Sequence, residues 1–346
     1  MMRICFLSIV FLLSTLFMGS CQDKYKGMKK YAWSAAISAP KLYPIEVIRG
    51  SLGNDEYGAY FSTIYGINNP GWGNAGRSMD NSSLQYLPDT LSFTWYSIVE
   101  DKYFTGKWGL DIAYLNKVFK EKYENIFHKS EQLYKIVIGL GPKGKVVMWG
   151  QSAGTSIELG SFQAQDTIIT AADMREDDQH RFVEGRRERI LRNDFYIPKE
   201  ARERISEVGY PNPDLYSLYQ KRYDWNVKIN HIGEPNDLRL FYFNGEMESR
   251  IYPGVDNPFF KRRSIINRLA YFYIDEEKKR GLGIHFNSYE ELSQAFERLS
   301  MKAESIELVV DVDLSTLNSG RVFLKNSQEK IELKEVVISN SYTKIK

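Results

Sequence analysis

The chain predicts an α+β fold of two homologous, β-rich domains, each a mostly antiparallel sheet with one main helix, joined by a helical connector. Three observations predict it. The pattern Tyr-x-Trp-x-x-x-Ile occurs at 31–37 and starts again at 223–229. Downstream of the two copies, segments correspond in one order: 91–98 with 269–274, 109–112 with 283–286, 144–148 with 320–324, and Ile157-Glu158-Leu159 with Ile331-Glu332-Leu333. Such a period is far longer than a solenoid repeat, so it reads as duplication of a whole domain. Between the copies, 165–220 has no equivalent and is dense in charge.

Each element has a local reason. In the first copy, strand-like runs at 31–38 and 45–50 are separated by Ala39-Pro40-Lys41-Leu42-Tyr43-Pro44, a segment that prolines keep out of a ladder. The second copy repeats this with 227–230 and 238–243 around Gly233-Glu234-Pro235-Asn236-Asp237. Residues 51–88 are rich in Gly, Asn and Ser, with Asn69-Pro70-Gly71-Trp72-Gly73-Asn74 at the centre. They predict a long loop of the kind that carries function, with a shorter counterpart at 246–260. Strands at 91–99 and near Leu110 then lead into a helix at 113–127; the second copy has 269–274, 283–286 and a helix at 289–302. Ser288 and Glu291 open that second helix at capping-box spacing, and Leu292, Phe296 and Leu299 mark its core face. Three strands close each copy, at 134–140, 145–150 and 155–161, and at 306–312, 321–325 and 330–339. Runs of strands with one helix per copy give the α+β class. The domains fall at 30–164 and 221–346. The connector at 165–220 holds predicted helices at 173–194 and from Pro198, a residue suited to a helix's first turn, and ends at Gly209-Tyr210-Pro211-Asn212-Pro213.

Residues 1–20 read as a signal peptide. Arg3 supplies its charge, and the apolar run at 4–17 is too short to span a membrane. Leu16-Phe17-Met18-Gly19-Ser20-Cys21 resembles a bacterial lipobox, which implies cleavage before Cys21 and a lipid on its sulfur; an ordinary cleaved signal with an incidental cysteine is the alternative. Residues 21–29 form a polar, basic tether expected to hold the fold off the membrane. The implied place is the bacterial envelope, lipid-anchored at the outer membrane and facing periplasm or exterior. The other cysteine, Cys5, lies in the leader, so the mature chain has no intrachain disulfide and no cysteine metal site. A chain this long is stable through its core alone.

There are 46 basic and 44 acidic residues, 45 against 44 once Arg3 leaves with the leader, a balance that argues against nucleic acid. The 23 Tyr, 19 Phe and 6 Trp suit pleated strands, and equally sugar or protein recognition.

Gly150-Gln151-Ser152-Ala153-Gly154 fits the nucleophile-elbow pattern of a serine esterase. An elbow needs a helix after the turn, whereas Thr155-Ser156-Ile157-Glu158-Leu159-Gly160 alternates like a strand, which predicts a β-hairpin with a Gly-rich turn. None of His128, His180, His231 or His285 stands in a triad context. Asp173, Glu176, Asp177, Asp178 and His180 lack the ligand spacing of a calcium loop, are interleaved with Arg175 and Arg181, and read as a solvated helix start. No metal or cofactor is expected. Trp33 and Trp225, recurring at one position of each copy, are core anchors. Trp72, with Tyr65 and Tyr57, is the better binding candidate, because a loop on a rigid scaffold is where recognition sits.

The lipobox, the strand-turn-strand at 33–44 with Ala39-Pro40 and Tyr43-Pro44, the connector with Ile197-Pro198 and Gly209-Tyr210-Pro211, and the restart at Arg222-Tyr223-Asp224-Trp225 together resemble the DUF2931 family of bacterial lipoproteins over nearly the whole mature chain. The resemblance carries no catalytic residues. Some relatives look like immunity lipoproteins that neutralise secreted effectors, including lipases, which implies a tethered, non-enzymatic binding protein with a cleft or loop between its domains. A surface glycan-binding or envelope-assembly lipoprotein is the alternative, and a Ser152 esterase the third.

Overall fold

The structure is a computed structural model that describes residues 25, 27–79, 83–230, 234–251, 261–275, 278–301, 305–312 and 320–344. The leader, Cys21, most of the tether and His231 lie outside the described residues.

The first half contains β1 (Ser34–Ser38), β2 (Ile45–Gly53), β3 (Gly58–Ser62), β4 (Ser78–Met79), β5 (Thr90–Ser97), β6 (Lys102–Gly109), helix α1 (Ile112–Lys120), β7 (Lys135–Leu140), β8 (Lys145–Ser152), β9 (Thr155–Gln163) and β10 (Gln165–Thr167). They form two sheets rather than the single sheet per copy that the sequence suggests. One runs β10-β6-β5-β2-β3 and is antiparallel. The other runs β9-β8-β7-β1-β4, with β1 and β7 parallel and the rest antiparallel. Inward side chains of both sheets make one core, including Trp33, Ile37, Val47, Phe93, Trp95, Ile136 and Met148.

Residues 165–220, the expected connector, carry α2 (Arg186–Leu191), α3 (Lys199–Val208) and α4 (Leu215–Leu218). The predicted helix at 173–194 is broken into two 3₁₀ turns and α2, and Gly185, left-handed at φ 72°, breaks the chain before α2. The acidic cluster is not simply solvated either. Asp178 is buried and takes Arg175 and Arg181, Arg181 reaches the buried Glu46 on β2, and Arg186 meets the same carboxylate at 2.9 Å. Arg187 donates to the carbonyls of Ile98 and Val99 at 2.8 and 2.7 Å. The connector's arginines thus dock it onto the end of the first half where β2 begins and β5 ends.

The second half contains β11 (Arg222–Asn230), β12 (Glu234–Tyr242), β13 (Met247–Ile251), β14 (Lys261–Ser264), β15 (Ile266–Asp275), β16 (Lys278–Phe286), helix α5 (Tyr289–Ser300), β17 (Ile306–Val312), β18 (Gly320–Lys325), β19 (Lys330–Glu332) and β20 (Val336–Lys344). Order and pairing match the first half strand for strand. β12 lies between β13 and β15 as β2 lies between β3 and β5, and β11 pairs parallel with β17 as β1 does with β7. Its core, with Trp225, Leu240, Tyr271, Phe296 and Leu308, is separate from that of the first half. Ladder register keeps Glu158 opposite Trp149 where Glu332 stands opposite Phe323. That sets Trp149 and Phe323 in equivalent places, two residues off the sequence correspondence of 144–148 with 320–324.

Local chemistry explains the helices. Ser288 Oγ accepts from the Glu291 amide at 3.1 Å, as expected of the cap, but the Glu291 carboxylate turns to the amides of Lys334 and Glu335, at 2.7 and 3.0 Å. Asp111 caps α1 through the Tyr114 amide at 2.9 Å. The helix predicted at 113–127 ends at Lys120, where Glu121 turns extended and Tyr123–Glu124 pairs with Ser130–Glu131 instead. The predicted loop at 51–88 holds β3, β4 and short strands at Ile67–Asn68 and Leu84–Gln85.

The halves meet edge to edge. β9 pairs with β13 through Ser156 and Met247, so the second sheet of the first half and the first sheet of the second half form one 10-stranded sheet. Trp149 fills the joint: it is fully buried, lies edge-on to Trp72 with ring centroids 5.0 Å apart, and donates its Nε1–H to the Asn244 carbonyl at 3.1 Å. Beside it Gly73 and Gly245 cross backbone to backbone, both at positive φ. A Cβ on Gly73 would stand 2.6 Å from the Gly245 Cα, so neither position has room for a side chain.

Candidate binding cleft between the halves

A cleft of about 540 Å³ opens beside this joint, walled by α1 and β9 of the first half and by Arg222, β13 and β14 of the second. At its centre two carboxylates from different halves converge on one guanidinium. Arg222 approaches Glu246 at 2.8 Å and Glu158 at 3.4 Å, while the Glu158 amide donates to Glu246 Oε1 at 3.0 Å. Burial first, and the Glu246 charge second, hold the Glu158 carboxyl above its ordinary range, against the pull of Arg222 and Lys145. The Gln220 amide, with its nitrogen turned to Glu158, donates to both carboxylate oxygens.

The opposite wall is also fixed by charge. Arg263, a buried residue of β14, donates through Nε to Glu248 at 2.9 Å and through Nη1 to the Trp225 carbonyl at 2.6 Å. Tyr242 donates to the same Glu248 at 2.9 Å, and burial together with that carboxylate holds its phenol well above the ordinary value. Tyr123 is pushed up to about 12 by burial. These hydroxyls therefore remain donors at neutral pH. Met247, Ile157 and Leu159 supply apolar lining between the polar groups. Such a lining can hold a polar or charged surface with two or three apolar contacts.

The sequence-derived candidates lie elsewhere. Tyr57 packs edge-on against Trp33 at 5.7 Å and Tyr65 against Phe61 at 5.1 Å, both on the first core. Trp72 is wedged between Trp149 and Tyr216, with its indole N–H buried and without a partner. None of the three lines the cleft. Trp33 and Trp225 are 1% and 0% exposed and donate to the carbonyls of Tyr86 and Ser264. The cleft residues were not legible in the sequence because Glu158, Arg222 and Glu246 are far apart in the chain; the one available signal was that Arg222 stands at the start of the recurring Tyr-x-Trp pattern.

Ser152 ends β8 and pairs with Thr155 of β9 across Ala153-Gly154, with Gly154 at φ 125°. The motif is therefore strand, tight turn, strand. The Ser152 hydroxyl is buried without a hydrogen-bond partner, so no described base touches it. Among the described residues no three His, Cys, Asp or Glu side chains are grouped to hold a metal ion, and no helix is long and apolar enough to cross a membrane.

Two like-wired β-rich halves, joined edge to edge around a charge-lined cleft, define the class as a two-lobed β scaffold. Residues 20–212 match the family described as "Protein of unknown function (DUF2931)", and the chain belongs to that family. The match covers the first half and nearly all of the connector, and it stops short of the restart at Arg222. No curated protein matches the chain, and no solved structure does.

Proposed function

We propose that the chain is a lipid-anchored envelope lipoprotein, attached through Cys21, that acts without catalysis by binding one partner in the cleft between its halves. An immunity protein that neutralises a secreted effector, such as a lipase, is the form of this reading we favour. One observation carries it: both halves contribute side chains to a single cleft, and its two central carboxylates share one arginine. The identical strand order and pairing of the halves supports an origin by duplication, with 165–220 as the connector. After duplication a joint is free to acquire a site that neither copy had alone.

The test is a pull-down with residues 22–346 as bait, in parallel with Glu246→Lys. Recovery of one stoichiometric secreted protein by the wild-type bait and not by the variant supports the reading. Recovery of glycan or of envelope-assembly proteins replaces it with the glycan or assembly alternative. Ester hydrolysis that disappears in Ser152→Ala overturns the non-catalytic part.

A further inference from the structure

We propose that the end of the first half around Tyr25 lies against the bilayer, as a surface facing anionic lipid headgroups. The proposal rests on lipidation of Cys21. Tyr25 is 4% exposed, stacks on Tyr86 with ring centroids 4.9 Å apart, and donates its hydroxyl to Asp89 at 2.7 Å. A turn then closes from the Met28 amide to the Tyr25 carbonyl, with Gly27 at φ 81°. The described end of the segment at 21–29 is therefore docked on the fold, which revises the expectation of a spacer. Between Cys21 and Tyr25 stand Gln22, Asp23 and Lys24. Fully extended they span roughly 14 Å, so a lipidated cysteine at headgroup depth holds Tyr25 within that distance of the membrane.

The side chains around this point suit such a neighbour. Ala32 and Leu84 face each other across a short ladder and are both exposed, Leu84 at 67%. Lys29 and Lys30 are exposed beside them, Lys29 over the Tyr31 ring and Lys30 over the Tyr86 ring, where it also meets Glu56 at 3.4 Å. An apolar pair flanked by lysines matches the boundary between headgroups and acyl chains. The connector docks at the far end of β2 and β5, which turns it away from the membrane. A row of paired residues, Ser34, Lys135, Gln151, Ser156 and Met247, leads across the sheet from the docked end to the joint. Four strand spacings make that about 19 Å, so the cleft stands at the same membrane-proximal end.

The experiment uses the full lipidated chain in vesicles of phosphatidylethanolamine and phosphatidylglycerol carrying a headgroup-attached quencher. A fluorophore is placed on Leu84→Cys or on Gln179→Cys in the connector. The expected result is strong loss of fluorescence at 84, background at 179, and loss at 84 abolished when a flexible linker of about 20 residues is inserted after Asp23. Equal quenching at both positions, with Cys21 shown by mass to carry lipid, overturns the orientation alone. A Cys21 mass without lipid, with no vesicle flotation, overturns both the orientation and the anchor.

Discussion

The sheet β9-β8-β7-β1-β4 and its counterpart β19-β18-β17-β11-β14 have one wiring and opposite fates. In the first half β1, Ser34-Ala35-Ala36-Ile37-Ser38, is buried along its whole length, and β8 carries Trp149 outward into the joint. In the second half the equivalent β11 alternates half-buried and exposed from Val227 to Asn230, and the place of Trp149 is held by Phe323, capped by the Lys330 ammonium at 3.6 Å. Glu158 and Glu332 stand at one register position, yet the first is enclosed in the cleft and the second faces solvent. A strand buried on both faces needs a continuous apolar run, and one facing water needs alternation. The pairing pattern is therefore shared, while outward-facing residues decide what each half packs against.

The largest test of that contrast is Trp149→Ala. Removing a fully buried indole that spans the joint should cost about 3–5 kcal/mol in denaturant unfolding, more than Phe323→Ala at the matching place. Equal losses would mean that spanning the joint adds no stability beyond the burial of the ring. Next, Gly245→Ala puts a Cβ into the crossing with Gly73 at a positive φ. It should cost about 1–3 kcal/mol and raise proteolysis between the halves. Third, Arg222→Met leaves Glu158 and Glu246 facing one another at a loss of about 1–3 kcal/mol at neutral pH. The sign comes from Glu158, whose folded-state value already lies above the unfolded one: folding takes up a proton, so stability rises as pH falls through the folded value and the penalty returns in full above it. The variant should thus approach wild type in acid, and a pH-independent deficit in thermal melts would refute the shared-charge account. Smallest, Glu332→Gln should change stability by less than about 0.5 kcal/mol. Glu158→Gln should be neutral or stabilising above the ordinary carboxylate range.

Much of the fold was legible. Strand and helix order came from alternation, turns and caps, and the recurring Trp33 and Trp225 are both buried. Three things were not. Two sheets per half depend on which strands pair over long separations, and propensity does not encode that. The segment around Gly71-Trp72-Gly73 looks like a recognition loop because glycine-rich backbone serves loops and close crossings alike; here it passes over Trp149 and against Gly245. The cleft needs Glu158, Arg222 and Glu246 together, and only tertiary pairing of β9 with β13 assembles them.

That edge-to-edge pairing has a consequence for assembly. β9 closes one kind of sheet and β13 closes the other, so the contact is head to tail, the heterologous type that has no built-in end. Repeated with another copy it would add lobes indefinitely, using β3 at one side and β19 at the other. The β19 edge does not invite this: it is only three residues long, opens with Lys330 and lies beside Lys325. A short, charged edge is a poor template for a further strand, so the series is blocked on the side where the second lobe would have to pass it on.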